Sequence, residues 1–139
     1  PELYDFLLWR FEPVTSLVAE LRDVADPGTR VLIIDLKDGW LGGCDLAALA
    51  QACDGAILCA YDMQASDVAD LMATGRARLG AEKFLGTGYR LFHPEMAGPD
   101  ILAAKVKPAL AAGVDGINFY NYGLVPAARL DWVSAARSV

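Results

Sequence analysis

Three times the chain sets an acidic residue, a short apolar run and a tyrosine seven residues after the acid: Asp54 to Tyr61, Glu82 to Tyr89 and Asp115 to Tyr122. In the first and last the acid is followed by glycine. Each run is strand-length, and each lies between stretches with helical spacing of apolar residues. A fourth apolar run, residues 31–36, precedes the others. A strand reading as an unbroken apolar run is one covered on both faces, which is the habit of parallel sheets. The repeat therefore predicts alternating β and α elements rather than a bundle or a sandwich.

The helices have local signals. Leu17, Val18, Leu21 and Val24 recur at helical spacing, with Thr15 or Ser16 as a cap after Pro13. Asp45 opens a second helix, and Gly55 stops it as the next strand begins. Ser66 caps a third helix running to about Leu79. Pro99 sits where a first helical turn accepts proline, and Pro108 predicts a kink in that fourth helix. A last amphipathic helix contains Leu130, Trp132 and Val133. The expected strands are residues 31–36, 56–61, 83–91 and 117–122. Two internal glycines in the third predict a bulge or a close approach.

Two architectures suit this order, a doubly wound open sheet and a TIM barrel. Neither GxGxxG nor a Walker loop follows any strand, which removes the main argument for a nucleotide-binding open sheet. Polar and aromatic residues gather after all four strands, as the catalytic face of a barrel requires. The fold class expected is α/β: the C-terminal half of a TIM (β/α)8 barrel, with four parallel strands each followed by a helix. A complete barrel takes eight strands and about 250 residues. Residues 1–139 are thus expected to form a single segment of a larger domain, completed by an N-terminal half-barrel in the same chain or a partner. A beginning at Pro1 rather than methionine agrees with a segment of a longer protein.

The net charge is −6 and the 12 basic residues are scattered, which disfavours a nucleic-acid partner. A hydrophobic fraction of 55% argues against disorder. No apolar run reaches the roughly 18 residues of a membrane span. Cys44, Cys53 and Cys59 match no zinc signature and read as buried small hydrophobes of a reducing compartment, which favours the cytoplasm. No cofactor and no metal is expected.

Side chains alternate along a strand. Turning Ile117 and Phe119 towards the helices leaves Asn118, Tyr120 and Tyr122 facing inward, and the matched unit then turns Ile57, Cys59 and Tyr61 inward. In the first strand, Ile34 and Leu36 are expected against the helices, with Asp35 and Lys37 inward. The expected mouth holds Asp35, Lys37, Tyr61, Tyr89 and Tyr122, with Asp62, Arg90, His93, Glu95 and Asn121 on its rim. Asp35 can act as a general acid or base or hold a substrate hydroxyl, and Lys37 as an electrophile or Schiff-base amine. The two can equally be an ion pair filling a polar layer. Trp40 and the tyrosines can stack on sugar faces or simply pack. His93, with Glu95, can be an acid/base pair or an ordinary loop feature. The Asp54-Gly55 and Asp115-Gly116 pairs read as structural devices that end helices and start strands.

Several short motifs also carry a family resemblance. Leu8-Trp9-Arg10, followed by Val14-Thr15 and Leu17-Val18, resembles the "WR…V…FV" helix opening of bacterial glycosyl-hydrolase-like TIM-barrel proteins. That group continues with a strand ending in Tyr, a Gly-rich "GxGY"-like run and a final "GxxFF/FYxY" strand. The counterparts are Tyr61, Gly86-Thr87-Gly88-Tyr89 and Gly116-Ile117-Asn118-Phe119-Tyr120-Asn121-Tyr122. Where the group carries Pro-Gln before the strand-ending Tyr, this chain has Cys59-Ala60. The resemblance implies a barrel that hydrolyses or binds carbohydrate. Glycoside hydrolysis uses two carboxyl groups, about 5.5 Å apart for retention and wider for inversion. Of Asp35, Asp62 and Glu95, the first and last are the ranking catalytic candidates. Lys37, Trp40, Tyr61, Asp62, Tyr89, Arg90, His93, Asn121 and Tyr122 are then substrate contacts. A non-catalytic carbohydrate-binding barrel and a lyase or aldolase using Lys37 are the alternatives.

Overall fold

A computed structural model describes residues 2–36, 39–92 and 96–138, without the side chains of Trp40 and Leu41. Four strands, β1 (Leu32–Leu36), β2 (Gly55–Cys59), β3 (Phe84–Arg90) and β4 (Gly116–Tyr120), form one parallel sheet in the order β1-β2-β3-β4. Among the described residues seven α-helices accompany them: α1 (Glu2–Trp9), α2 (Phe11–Val24), α3 (Gly39–Gly42), α4 (Leu46–Ala52), α5 (Ala65–Leu79), α6 (Pro99–Ala111) and α7 (Leu130–Ala136). The α/β alternation expected from the sequence is present.

Strand order equal to chain order has a topological cause. Parallel strands joined by right-handed crossovers add on one side when every helix lies on the same face. Here α2, α4, α5, α6 and α7 pack side by side in that order. The main core lies between them and the sheet, where Ala56, Leu58, Leu85 and Tyr89 meet Val68, Met72, Leu102 and Val106. A second cluster fastens α2 through Val18 to Leu49, Cys53 and Ile33. Gly75 lets α5 approach the sheet, because a side chain there would run into Leu58 and Leu85.

The opposite face of the sheet is open. Ile34 and Leu36 are 65% and 60% exposed, and Tyr120 is 44% exposed. The expectation that Ile34 and Leu36 pack on helices is therefore corrected. The buried side chains of β1 are on the other parity, with Asp35 beside Ile33.

Local chemistry accounts for most boundaries. The Asp45 carboxylate accepts the Ala47 and Ala48 N–H groups and caps α4, as the sequence predicts. Pro99 opens α6, and Pro108 is held inside it. α2 begins at Phe11, with Pro13 in its first turn rather than before it, and Thr15 and Ser16 lie inside the helix. Gln64 is the N-cap of α5, and the Ser66 hydroxyl donates instead to Asp67. The segment after β1 contains the short helix α3 as well as loop.

The two Asp-Gly pairs share a role at the amino ends of the strands. Asp54 Oδ2 accepts the Val31 N–H at 2.7 Å and meets Arg22 Nε at 3.1 Å. Asp115 Oδ2 accepts the Leu85 N–H at 2.8 Å and meets Arg76 Nη2 at 2.8 Å. Each aspartate thus ties the start of its own strand to the neighbouring strand and to a helix.

Candidate functional site

The open face carries an aromatic cluster at the carboxyl end of the strands. Register makes it. Cys59 pairs with Gly88, so Tyr61 comes level with Arg90, which pairs with Tyr120. Those three residues form one row. The Arg90 guanidinium lies 4.8 Å from the Tyr61 ring centre and 5.9 Å from that of Phe92. Tyr120 stacks against Tyr61 at 6.1 Å and tilts against Phe92 at 6.2 Å. Aromatic pairs at these separations and cation–π contacts each add a modest attraction.

The glycines of β3 supply the floor of this face. A Cβ at Gly88 would lie 3.3 Å from Cys59 Sγ and 3.6 Å from Tyr61 Cε1. Gly86 and Gly116 leave space that the Phe84 ring fills, and Arg30 covers that ring at 5.2 Å. Close approach of rings to backbone is thus the reason for glycine here. Burial first, and then the neighbouring Cys59 thiol, push the Tyr61 hydroxyl above the ordinary phenol range, so it remains a neutral hydrogen-bonding group.

The sequence-predicted mouth is only partly assembled. Tyr61 and Arg90 meet in the cluster, and Asp62 follows on the exposed rim. Tyr122 is 80% exposed and lies in a 3-10 turn, Tyr122–Leu124. Asn121 caps that turn, its side-chain oxygen accepting the Leu124 N–H at 3.0 Å, and the Tyr120–Asn121 peptide bond is cis. Lys37, His93 and Glu95 lie outside the described residues, as does the side chain of Trp40.

Two expected mouth residues turn the other way. Tyr89 is completely buried on the helix side, where its hydroxyl donates to the Lys105 carbonyl at 2.7 Å. Burial raises its pKa to about 12. The Asp35 side chain is 6% exposed and also faces the helices. Burial raises its carboxyl to about pKa 6 against a hydrogen bond from Cys44. The cause for Tyr89 is register: the acid-to-tyrosine spacing is conserved, but β3 begins at Phe84 and puts Tyr89 one residue out of phase with Tyr61.

Sequence reasoning passed over Phe92, Tyr120 and Lys105. Tyr120 had been placed inward by parity without being counted among substrate contacts. Lys105 is buried in α6, and its Nζ donates to the Tyr61 carbonyl at 3.2 Å, fixing the strand end from beneath. Arg129 fixes the next loop, since its Nη1 donates to the carbonyls of Leu91 at 2.7 Å and Met96 at 3.2 Å. Among the described residues no group of three or more His, Cys, Asp or Glu is placed to hold a metal ion, and no helix is long and apolar enough to cross a membrane.

Comparison of the chain with protein-family models, curated proteins and solved structures finds no match.

Proposed function

We propose that the sheet is four strands of a larger TIM-type barrel and that the carboxyl end of its open face binds carbohydrate. The observation carrying the reading is the Tyr61–Arg90–Tyr120–Phe92 cluster, aromatic faces with a cation at the strand ends of a parallel sheet. Sugar rings present apolar faces to aromatic rings and hydroxyls to polar tips, and Tyr supplies both.

Topology supports the barrel part. Among the described residues helices cover only one face of the sheet, and β1 and β4 each keep one edge with no paired strand. α2 lies on the helix layer beyond α4 and leads into β1. By the right-handed crossover rule, a parallel strand feeding α2 belongs on the free edge of β1. At the other end an apolar groove of about 410 Å³ runs beside β4 between α6 and α7, lined by Leu110, Ile117, Phe119 and Val133. α2 and α7 therefore both stand at junctions. The complementary four strands would need only three long helices between them, so the covering half is a different polypeptide segment rather than a second copy.

Binding is favoured over hydrolysis by one feature: Asp35 does not face the open side. A hydrolase would draw on Glu95 and on a carboxylate of the covering half.

A glycan array followed by calorimetry on the full-length protein tests this. Tyr61→Ala and Tyr120→Ala should each weaken binding by roughly two- to tenfold, from the ~0.5–1.5 kcal/mol of an aromatic contact, with the melting temperature retained. No glycan bound by the wild type would remove the proposal. Glu95→Gln then sorts the two activities: turnover lost with binding kept identifies a hydrolase.

A further inference from the structure

We propose that a cavity on the helix side of β1 is a second site, which takes an α-amino acid with a large apolar side chain. The cavity, of about 600 Å³, lies between β1, β2, α4 and α5, away from the aromatic cluster. That is within the range of pockets that hold small ligands.

Three charged side chains line it: the carboxylates of Asp35 and Asp45 and the guanidinium of Arg78. Asp35 sits at the buried end, with its carboxylate against the backbone of Gly39, where any side chain would overlap it. It accepts hydrogen bonds from the Cys44 thiol and the Leu36 amide, and a carboxylate has acceptor capacity beyond two. Arg78, on α5, stands exposed at the rim. It acts on Asp35 electrostatically and forms no hydrogen bond or ion pair with another described residue. The other lining carboxylate, Asp45, already caps α4. Phe11, Leu46, Leu58 and Leu71 supply the apolar part of the wall, and Thr74 adds a hydroxyl to it.

This combination selects by charge. A simple anion suits Arg78 and is repelled by Asp35; a simple cation suits Asp35 and is repelled by Arg78. A neutral polyol gains little from apolar walls. A zwitterion satisfies both ends, its ammonium donating to Asp35 and its carboxylate accepting from the Arg78 guanidinium, with the side chain against Phe11 and Leu71. A paired ammonium also offsets the cost of holding Asp35 ionised away from water.

Calorimetry at neutral pH tests this on the full-length protein with three probes: L-phenylalanine, 3-phenylpropionate, which lacks the ammonium, and 2-phenylethylamine, which lacks the carboxylate. Phenylalanine should bind saturably, and each truncated probe at least about tenfold more weakly, the worth of one charged hydrogen bond. Arg78→Gln, at an exposed position, and Asp35→Asn should each weaken phenylalanine about tenfold. Equal binding of the three probes, absence of saturable phenylalanine binding, or binding unchanged in Arg78→Gln would each overturn the proposal. The probe comparison and Arg78→Gln carry the test independently of Asp35→Asn.

Discussion

Asp35 and Tyr89 show what a single residue's parity decides. Both are polar residues near strand ends, and in the sequence alternation along the strand places Asp35, and the repeat spacing Tyr89, at the mouth. In the fold each is buried towards the helices, while apolar Ile34 and Leu36 face the open side. Parity within one strand was a poor guide because it does not say which face the helices cover, and because a buried carboxyl or phenol needs only one or two partners to be tolerated. For Asp35 the consequence is measurable. Burial raises its carboxyl from 3.8 to about 6, so between those values the folded state binds a proton that the unfolded chain has released. A raised carboxyl therefore favours the fold at low pH, and this contribution fades as pH rises through about 6. Above that pH the ionised group costs up to about 3 kcal/mol. Asp35→Asn should then melt higher than wild type at alkaline pH, and the gap should close below pH 4, near the unfolded value. Melting curves across that range check it, and an Asn variant less stable than wild type at alkaline pH would contradict the account.

Elements were the legible scale. Strand and helix order, the Asp45 cap, Pro99 at a helix start and the last helix all follow from local signals that tertiary packing did not need to override. The acid-to-tyrosine repeat was legible only in part. Two of its acids, Asp54 and Asp115, do the same work at strand starts, and two of its tyrosines, Tyr61 and Tyr122, reach the open side or its rim. The Glu82–Tyr89 copy breaks because register, set by pairing with β2 and β4, cannot be read from spacing within one strand. The glycines of β3 were noticed, but the rings that need them come from Tyr61 and Phe84. The strand-start device makes its own prediction. In Asp115→Ala the Leu85 amide and the Arg76 guanidinium both lose an acceptor. Because Asp115 is partly exposed, water takes up some of the loss, and about 1–2 kcal/mol is expected. Hydrogen exchange should show the Leu85 amide losing protection more than the amides of β2. Uniform loss across the sheet would point to global destabilisation instead.

Over the whole molecule, exposed apolar side chains gather on the open face of the sheet and on α2. Ile34 and Leu36 on the open face are joined by Leu17, Leu21 and Val24 of α2, which are 56%, 51% and 81% exposed. These three recur at helical spacing on a side of α2 turned away from Val18, which packs on α4. A helix with two apolar sides is one meant to be covered twice. Exposed apolar residues grouped in this way mark interaction surfaces, one on the open face and one on α2. Expressed alone, the chain should bind a hydrophobic dye and self-associate as concentration rises, seen by light scattering coupled to size exclusion. Leu21→Lys and Ile34→Lys should each reduce association and dye binding while changing stability by less than about 0.5 kcal/mol, since neither side chain is buried in the isolated chain. Association through the open face should also compete with glycan binding at Tyr61 and Tyr120, which lie on the same side of the sheet. A chain that stays monomeric, binds no dye and responds to neither substitution would mean that these surfaces are ordinary solvent-facing ones, and the barrel reading would fall with them.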